Sequence, residues 1–196
     1  MLNLRKIAIT GGVAVGKSTV GQIFRELGAY VVDADAIVHE LLNPDTNLGR
    51  NVIKAFGTLN RTQLAEKVFD NPVALAQLES LLHPAVLQRI DELYTAVQRE
   101  GKHELFLVEI PLLYEIGAQD RFDATIAVVA PDDLARKRYI QKGHSAWDYN
   151  RRMNRQLNPA LKAASATITV ENTGTIEDIR TAVTAIIPKL KTRAAT

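Results

Sequence analysis

The chain has 196 residues, of which 46% are hydrophobic, 6% aromatic and 23% charged, with 24 Lys and Arg against 22 Asp and Glu. That length suits one compact domain with a real core, and the composition excludes disordered, collagen-like and low-complexity architectures. A net charge of +2 gives no argument for nucleic acid or an anionic membrane, and the lack of cysteine removes disulfides, thiolate catalysis and Cys-based metal sites.

Residues 1–6 (MLNLRK) turn to charge before a signal-peptide apolar stretch can form, and no run approaches the roughly 20 apolar residues that span a bilayer. The expectation is a cytoplasmic, water-soluble protein. Residues 6–10 (KIAIT) read as a strand, apolar nearly throughout as strands covered on both faces are. They lead into Gly11-Gly12-Val13-Ala14-Val15-Gly16-Lys17-Ser18-Thr19, which fits G-x-x-x-x-G-K-[ST], the phosphate-binding loop. Glycines let such a backbone curl into a nest of N–H groups, and the helix starting near Lys17 adds its dipole. Lys17 then reaches the β- and γ-phosphates and the Ser18 hydroxyl ligates Mg²⁺. The plainer reading, a glycine turn beside a surface lysine, fits less well with a buried strand before and an amphipathic helix after. Val20, Ile23, Phe24 and Leu27 supply that helix's stripe and Gly28 its stop.

A second strand over 29–33 (AYVVD) ends on Asp33. Carboxyl ends of strands face the ligand crevice in a doubly wound sheet, so a carboxylate there accepts a hydroxyl proton or binds metal through water. The competing role is an N-cap opening a helix at 36–42, to which Asp35 is equally suited. About seventy residues without a strand follow, including helical stretches at 72–82 and 84–99 separated at Pro84. They exceed what one crossover needs and read as a helical insertion. The third strand, 105–109 (LFLVE), ends on Glu109, placed to hold Mg²⁺ through water or simply to be polar at a loop junction. A fourth strand covers 124–130 (ATIAVVA).

Residues 134–162 are helical and strongly basic, carrying Arg136, Lys137, Arg138, Lys142, Arg151, Arg152, Arg155 and Lys162. They are either lid cations that clamp phosphate oxygens or a solvated helix face. A fifth strand spans 166–170 (ATITV), and Ile176, Ile179, Val183, Ile186 and Ile187 form the stripe of a last helix before a frayed tail at 189–196. His39, His83, His103 and His144 lack metal-ligand spacing, and Trp147 and Tyr149 either stack a base or pack. Strand and helix alternate throughout, predicting an α/β fold with a five-stranded parallel sheet between helical layers. No N-K-x-D element is present to read guanine, and the chain is short for a motor or transporter ATPase. A small P-loop kinase fits; a nucleotide-binding regulatory module without turnover is the alternative of another class.

Taken together, the motifs resemble the dephospho-coenzyme A kinase family along most of the chain. The loop from Ile9 to Thr19 is similar to that family's T-G-G-I-G-S-G-K-S-T. Val31-Val32-Asp33-Ala34-Asp35 resembles its V-D-A-D, and Val68-Phe69 with Leu81-Leu82-His83-Pro84 its V-F … L-x-H-P. Glu109-Ile110-Pro111-Leu112-Leu113-Tyr114-Glu115 resembles its D-I-P-L-L-F-E, and Glu171-Asn172-Thr173-Gly174 its D-N-x-G. The resemblance implies the three-layer P-loop kinase fold and ATP- and Mg²⁺-dependent phosphorylation of the 3′-hydroxyl of dephospho-CoA's ribose. It implies a core at about 1–33, 101–133 and 163–196, an acceptor-binding insertion at about 34–100 and a lid at about 134–162. Asp33 becomes the base, with Lys17 and a lid arginine such as Arg138 in catalysis. ATP is expected on Gly11, Gly12, Ala14, Val15, Gly16, Lys17, Ser18, Thr19 and Asn172, and Mg²⁺ on Ser18 and Glu109. The acceptor is expected on Asp33, Asp35, His83, Pro111 and Leu112. Ala14 and Val15 depart from the family's glycine and serine, Ala14 costing little where its φ is negative. Lys142 stands in place of an arginine, Ala166-Thr167 in place of A-D, and Pro159 is expected to interrupt a helix.

Overall fold

The computed structural model describes residues 3–192. Strand β1 (Arg5–Gly11) is buried along its whole length and occupies the centre of a five-stranded sheet of order β2-β3-β1-β4-β5. β3 (Leu105–Glu109) flanks it in parallel with Ile9 opposite Glu109, and β4 (Ala124–Val129) flanks it on the other side with Gly11 opposite Val128. The continuous apolar pattern belongs to these inner strands. At the edges, β2 (Tyr30–Asp33) is half-buried and β5 (Ile168–Glu171) buries only Val170, because an edge strand has one neighbour and one open side. β5 starts two residues later than its apolar run suggests. Thr167 is taken up instead by Thr125: each backbone N–H donates to the other's hydroxyl at 3.0 Å, and Tyr114 Oη meets Thr125 Oγ1 at 3.1 Å. Hydroxyls thus serve where the family pattern has an acid.

Two compact units divide the chain. The first runs up to Val32 and resumes at Val97; the second is Asp33–Ala96. In the first, helix α1 (Lys17–Glu26) buries Val20, Ile23 and Phe24. Leu27 falls just beyond the helix and is 40% exposed, so the predicted stripe ends one contact early. Helices α6 (Asp132–Gln141), α7 (Ala146–Asn154) and α8 (Pro159–Ser165) make up the basic segment. Pro159 does not break a helix there; it begins α8, behind Asn158, whose side chain caps Ala160 N–H at 2.8 Å, the position where a missing N–H costs nothing. Ala135, Tyr139 and Tyr149 bury this segment into the main core alongside Ile7, Ile9, Val15 and Phe24. Helix α9 (Ile176–Lys191) starts with a capping box between Thr175 and Asp178 and buries Ile179, Val183 and Leu190. Ile176 is 66% exposed and contributes nothing to that stripe. Residues 189–191 are helical rather than frayed, and 193–196 lie outside the described residues.

The second unit holds α2 (Ala34–Leu41), α3 (Asn47–Phe56), α4 (Arg61–Val68) and most of α5 (Pro72–Glu100). Its own core is Leu48, Val52, Phe56, Leu64 and Leu78. Two helices were expected around Pro84; α5 instead continues through it. A proline inside a helix costs about 3 kcal/mol, and the burial of Leu78, Val86 and Ile90 on both sides of Pro84 outweighs that.

Candidate active site

β1 ends at Gly11, and residues 12–16 turn the chain into α1, which begins at Lys17. Gly16 caps this helix with φ +98°, a left-handed backbone that glycine adopts without strain. Ala14 also lies in the left-handed region, at φ +55°. The condition under which alanine is cheap therefore does not hold. A left-handed L-residue costs roughly 1–2 kcal/mol, offset in part by the lower unfolded-state entropy of alanine. Ala14→Gly should raise the unfolding free energy by about 1 kcal/mol, measured as a higher midpoint in urea; a lower midpoint would contradict the strain. Val15 is 3% exposed and packs into the main core, so the residue replacing the family's serine anchors the loop from below.

Lys17 folds back over the loop, its Nζ donating to the carbonyls of Gly11 at 3.1 Å and Gly12 at 2.7 Å. Beside it, exposed Ser18 donates its hydroxyl to Glu109 Oε2 at 3.0 Å, while Thr19 is half-buried in the same turn. Glu109 is only 7% exposed. It fits against α1 because Gly21 presents no side chain: a Cβ there would collide with Glu109 Oε1. Among the described residues no group of three or more His, Cys, Asp or Glu could hold a metal. One carboxylate and one hydroxyl are nevertheless what Mg²⁺ requires when substrate phosphates and waters complete its shell.

Pro111 and Leu112 follow β3 and are half-buried. The Pro111 carbonyl accepts from Thr10 Oγ1 at 3.3 Å and from Lys162 Nζ at 2.7 Å. Lys162, grouped by sequence with the surface cations, has a fully buried side chain that also meets Glu115 Oε1 at 2.7 Å and Gln156 Oε1 at 3.1 Å. Burial pushes its ammonium pKa down while Glu115 works the other way. It ties the Pro111–Glu115 turn to α8. The signal was available: in PALKAAS a single charge stands among apolar and small residues.

Three other cations of the segment, Arg138, Arg151 and Arg152, also have partners. Arg151 and Arg152 pair with Asp148 at 2.8 and 2.9 Å. Asp148 is held down to about 2, first by the Tyr139 hydroxyl and then by these two arginines, against the opposing effect of burial. Arg138, expected on phosphate, directs its fork at Asn172: Nη1 to the backbone carbonyl and Nη2 to Oδ1, both at 3.1 Å. Asn172 follows β5, is 4% exposed, and donates Nδ2 to the Val15 carbonyl at 2.8 Å. Sequence placed Asn172 near the nucleotide; the structure joins it to the loop. Lys142 caps the C-terminus of α6.

In the second unit, Asp33 is the N-cap of α2, its Oδ1 accepting from Asp35 N–H at 2.9 Å. The cap thus falls on Asp33 rather than Asp35, and α2 starts two residues earlier than predicted. The bond uses one oxygen of the carboxylate, which is exposed, as is Asp35. His83 is half-buried within α5, next to Pro84.

The family model for dephospho-CoA kinase matches residues 5–178. The dephospho-CoA kinase of Chlamydia pneumoniae is 43% identical over 187 residues, covering 91% of this chain and 93% of its own. That of Protochlamydia amoebophila is 40% identical over 201 residues, covering 97% and 98%. Among solved structures, a Thermus thermophilus protein superposes with a TM-score of 0.84 at 32% identity over 96% of this chain and 98% of its own. The dephospho-CoA kinase of Campylobacter jejuni gives 0.70 at 28% over the same shares. Shikimate kinase from Acinetobacter baumannii, at 18% identity and TM-score 0.56 over 96% and 95% of the two chains, shares the fold.

Proposed function

This chain belongs to the dephospho-CoA kinase family, and on that premise we propose how its residues divide the transfer of a phosphoryl group from ATP to dephospho-CoA, the last step of coenzyme A synthesis. The loop 11–19 takes the ATP phosphates on its backbone N–H groups and the N-terminus of α1. Lys17 exchanges the carbonyls of Gly11 and Gly12 for β- and γ-phosphate oxygens and neutralises charge as it develops. Ser18 and Glu109 would hold Mg²⁺ together with the substrate phosphates and water, and the ion would offset negative charge on the phosphates. The contact of 3.0 Å between Ser18, on the helix that follows the loop, and Glu109, at the end of β3, is the observation that carries this reading.

Asp33 is the base. Its cap leaves the second carboxylate oxygen to take the proton of the ribose 3′-hydroxyl as the new P–O bond forms and the bond to the ADP oxygen breaks. Asp35, His83, Pro111 and Leu112 contribute to holding the acceptor, and the reaction is read as cytoplasmic, a reading that a chain without cysteine supports. No helix of the described residues is long and apolar enough to cross a membrane.

Incubation with Mg-ATP and dephospho-CoA should yield coenzyme A, identified by mass, with one ADP per turnover. Phosphorylation of AMP or shikimate with none of dephospho-CoA would overturn the substrate; ATP binding with no ADP released for any acceptor would favour a regulatory module. For the metal, Glu109→Gln should raise the Mg²⁺ concentration for half-maximal rate about tenfold or more. An unchanged Mg²⁺ titration would remove Glu109 from that role.

A further inference from the structure

Asn172 and Val15 are 157 residues apart, yet the asparagine's Nδ2 holds the Val15 carbonyl at 2.8 Å inside the core. The remaining polar groups of Asn172 are engaged as well. Its N–H donates to the Val129 carbonyl at 2.8 Å, and its carbonyl and Oδ1 receive the two arms of Arg138. The direction of the amide follows from chemistry: a guanidinium only donates, so Oδ1 must face Arg138, and Nδ2 is left to face Val15. The same amide fills the space beside Gly16, where a Cβ would collide with Nδ2. Loop and asparagine therefore interlock at two successive residues, through the carbonyl of one and the missing side chain of the next.

The peptide between those residues is trans. Its C=O and N–H point in opposite directions, so holding the Val15 oxygen toward Asn172 turns the Gly16 N–H the other way. We propose that Asn172 and Arg138 are positioning residues of the nucleotide site: Arg138 orients the Asn172 amide, and the amide sets the direction of a loop N–H that receives phosphate. This rests on the reading of loop 11–19 as the ATP site and deepens it. It also gives Arg138 a place other than contact with phosphate.

Asn172→Asp separates this role from simple packing. The carboxylate keeps the shape and pairs more strongly with Arg138, but it presents an oxygen to the Val15 carbonyl where a donor stood. The KM for ATP should rise about tenfold, as expected when a buried acceptor loses its donor, with kcat and the KM for dephospho-CoA within about twofold of the parent chain. Arg138→Met, which leaves the asparagine in place without its orienting fork, should raise the KM for ATP by about threefold, and far-UV circular dichroism with thermal melts would establish that both variants are folded. An unaltered KM for ATP in folded Asn172→Asp overturns the proposal. So does a hundredfold loss of kcat in Arg138→Met at unchanged KM, which would make Arg138 a catalytic residue in contact with phosphate. Absence of ATP binding by the parent chain would instead overturn the reading of the loop, and this inference with it.

Discussion

Replacing Asp33 with Asn should lower kcat by about 10²–10⁴, the usual share of a positioned general base, and leave ATP affinity within about twofold. The substitution suits the local structure. Asp33 caps α2 by accepting from Asp35 N–H, and Asn is as good an N-cap as Asp, so the helix start survives. Shape and size are retained as well. What disappears is the anionic oxygen able to accept the ribose hydroxyl's proton, because an amide oxygen is far too weak a base near neutral pH. The measurement is steady-state kinetics with dephospho-CoA as the varied substrate, alongside calorimetric titration with ATP. Turnover within threefold of the parent chain would remove Asp33 from the proton transfer and leave it as a cap alone.

Lys17→Met should lower kcat by at least about 10²–10³, the scale on which a preorganised transition-state donor acts. Methionine has a comparable unbranched stem, so packing beside the loop changes little. Two hydrogen bonds, to the carbonyls of Gly11 and Gly12, are lost from a half-buried side chain, each worth about 1 kcal/mol. Folding therefore persists, and the backbone N–H groups still bind phosphate, with ATP affinity falling less than turnover. Thermal melting, ATP titration and single-turnover rates would resolve these parts. A rate within tenfold of the parent would show that the ammonium does not act on the transferring group.

Much of this was legible along the chain. The strand–loop–helix around residues 5–26, the central strands and the stripe of α9 all rest on contiguous residues whose periodicity and turn chemistry are local. Local signals failed where two of them competed. Pro84 reads as a helix boundary, but burial of Leu78, Val86 and Ile90 carries α5 across it. Pro159 reads as an interruption, but Asn158 before it makes it a first-turn proline. Asp33 and Asp35 are equally good caps by type; the end of β2 gives the cap to Asp33. The basic run read as lid or solvated face, yet Lys162 and Arg138 have partners, Glu115 and Asn172, that no local pattern names, while Arg151 and Arg152 pair with Asp148 three and four residues back along one helix.

The sequence alone was enough to determine the phosphate-binding loop, the parallel α/β class and the family, since these follow from residue types at short, fixed spacings. The tertiary structure decided which distant residues serve that loop. With Ile9 opposite Glu109, the register of β1 against β3 brings the carboxylate alongside the strand that feeds the loop, where α1 offers Ser18. With Gly11 opposite Val128 and Val128 opposite Val170, the register carried across β4 delivers Asn172 to Val15. Hydrogen-bond register between strands is a long-range property: one slip of a residue would turn each of these side chains to the other face, and nothing in the spacing along the chain records it.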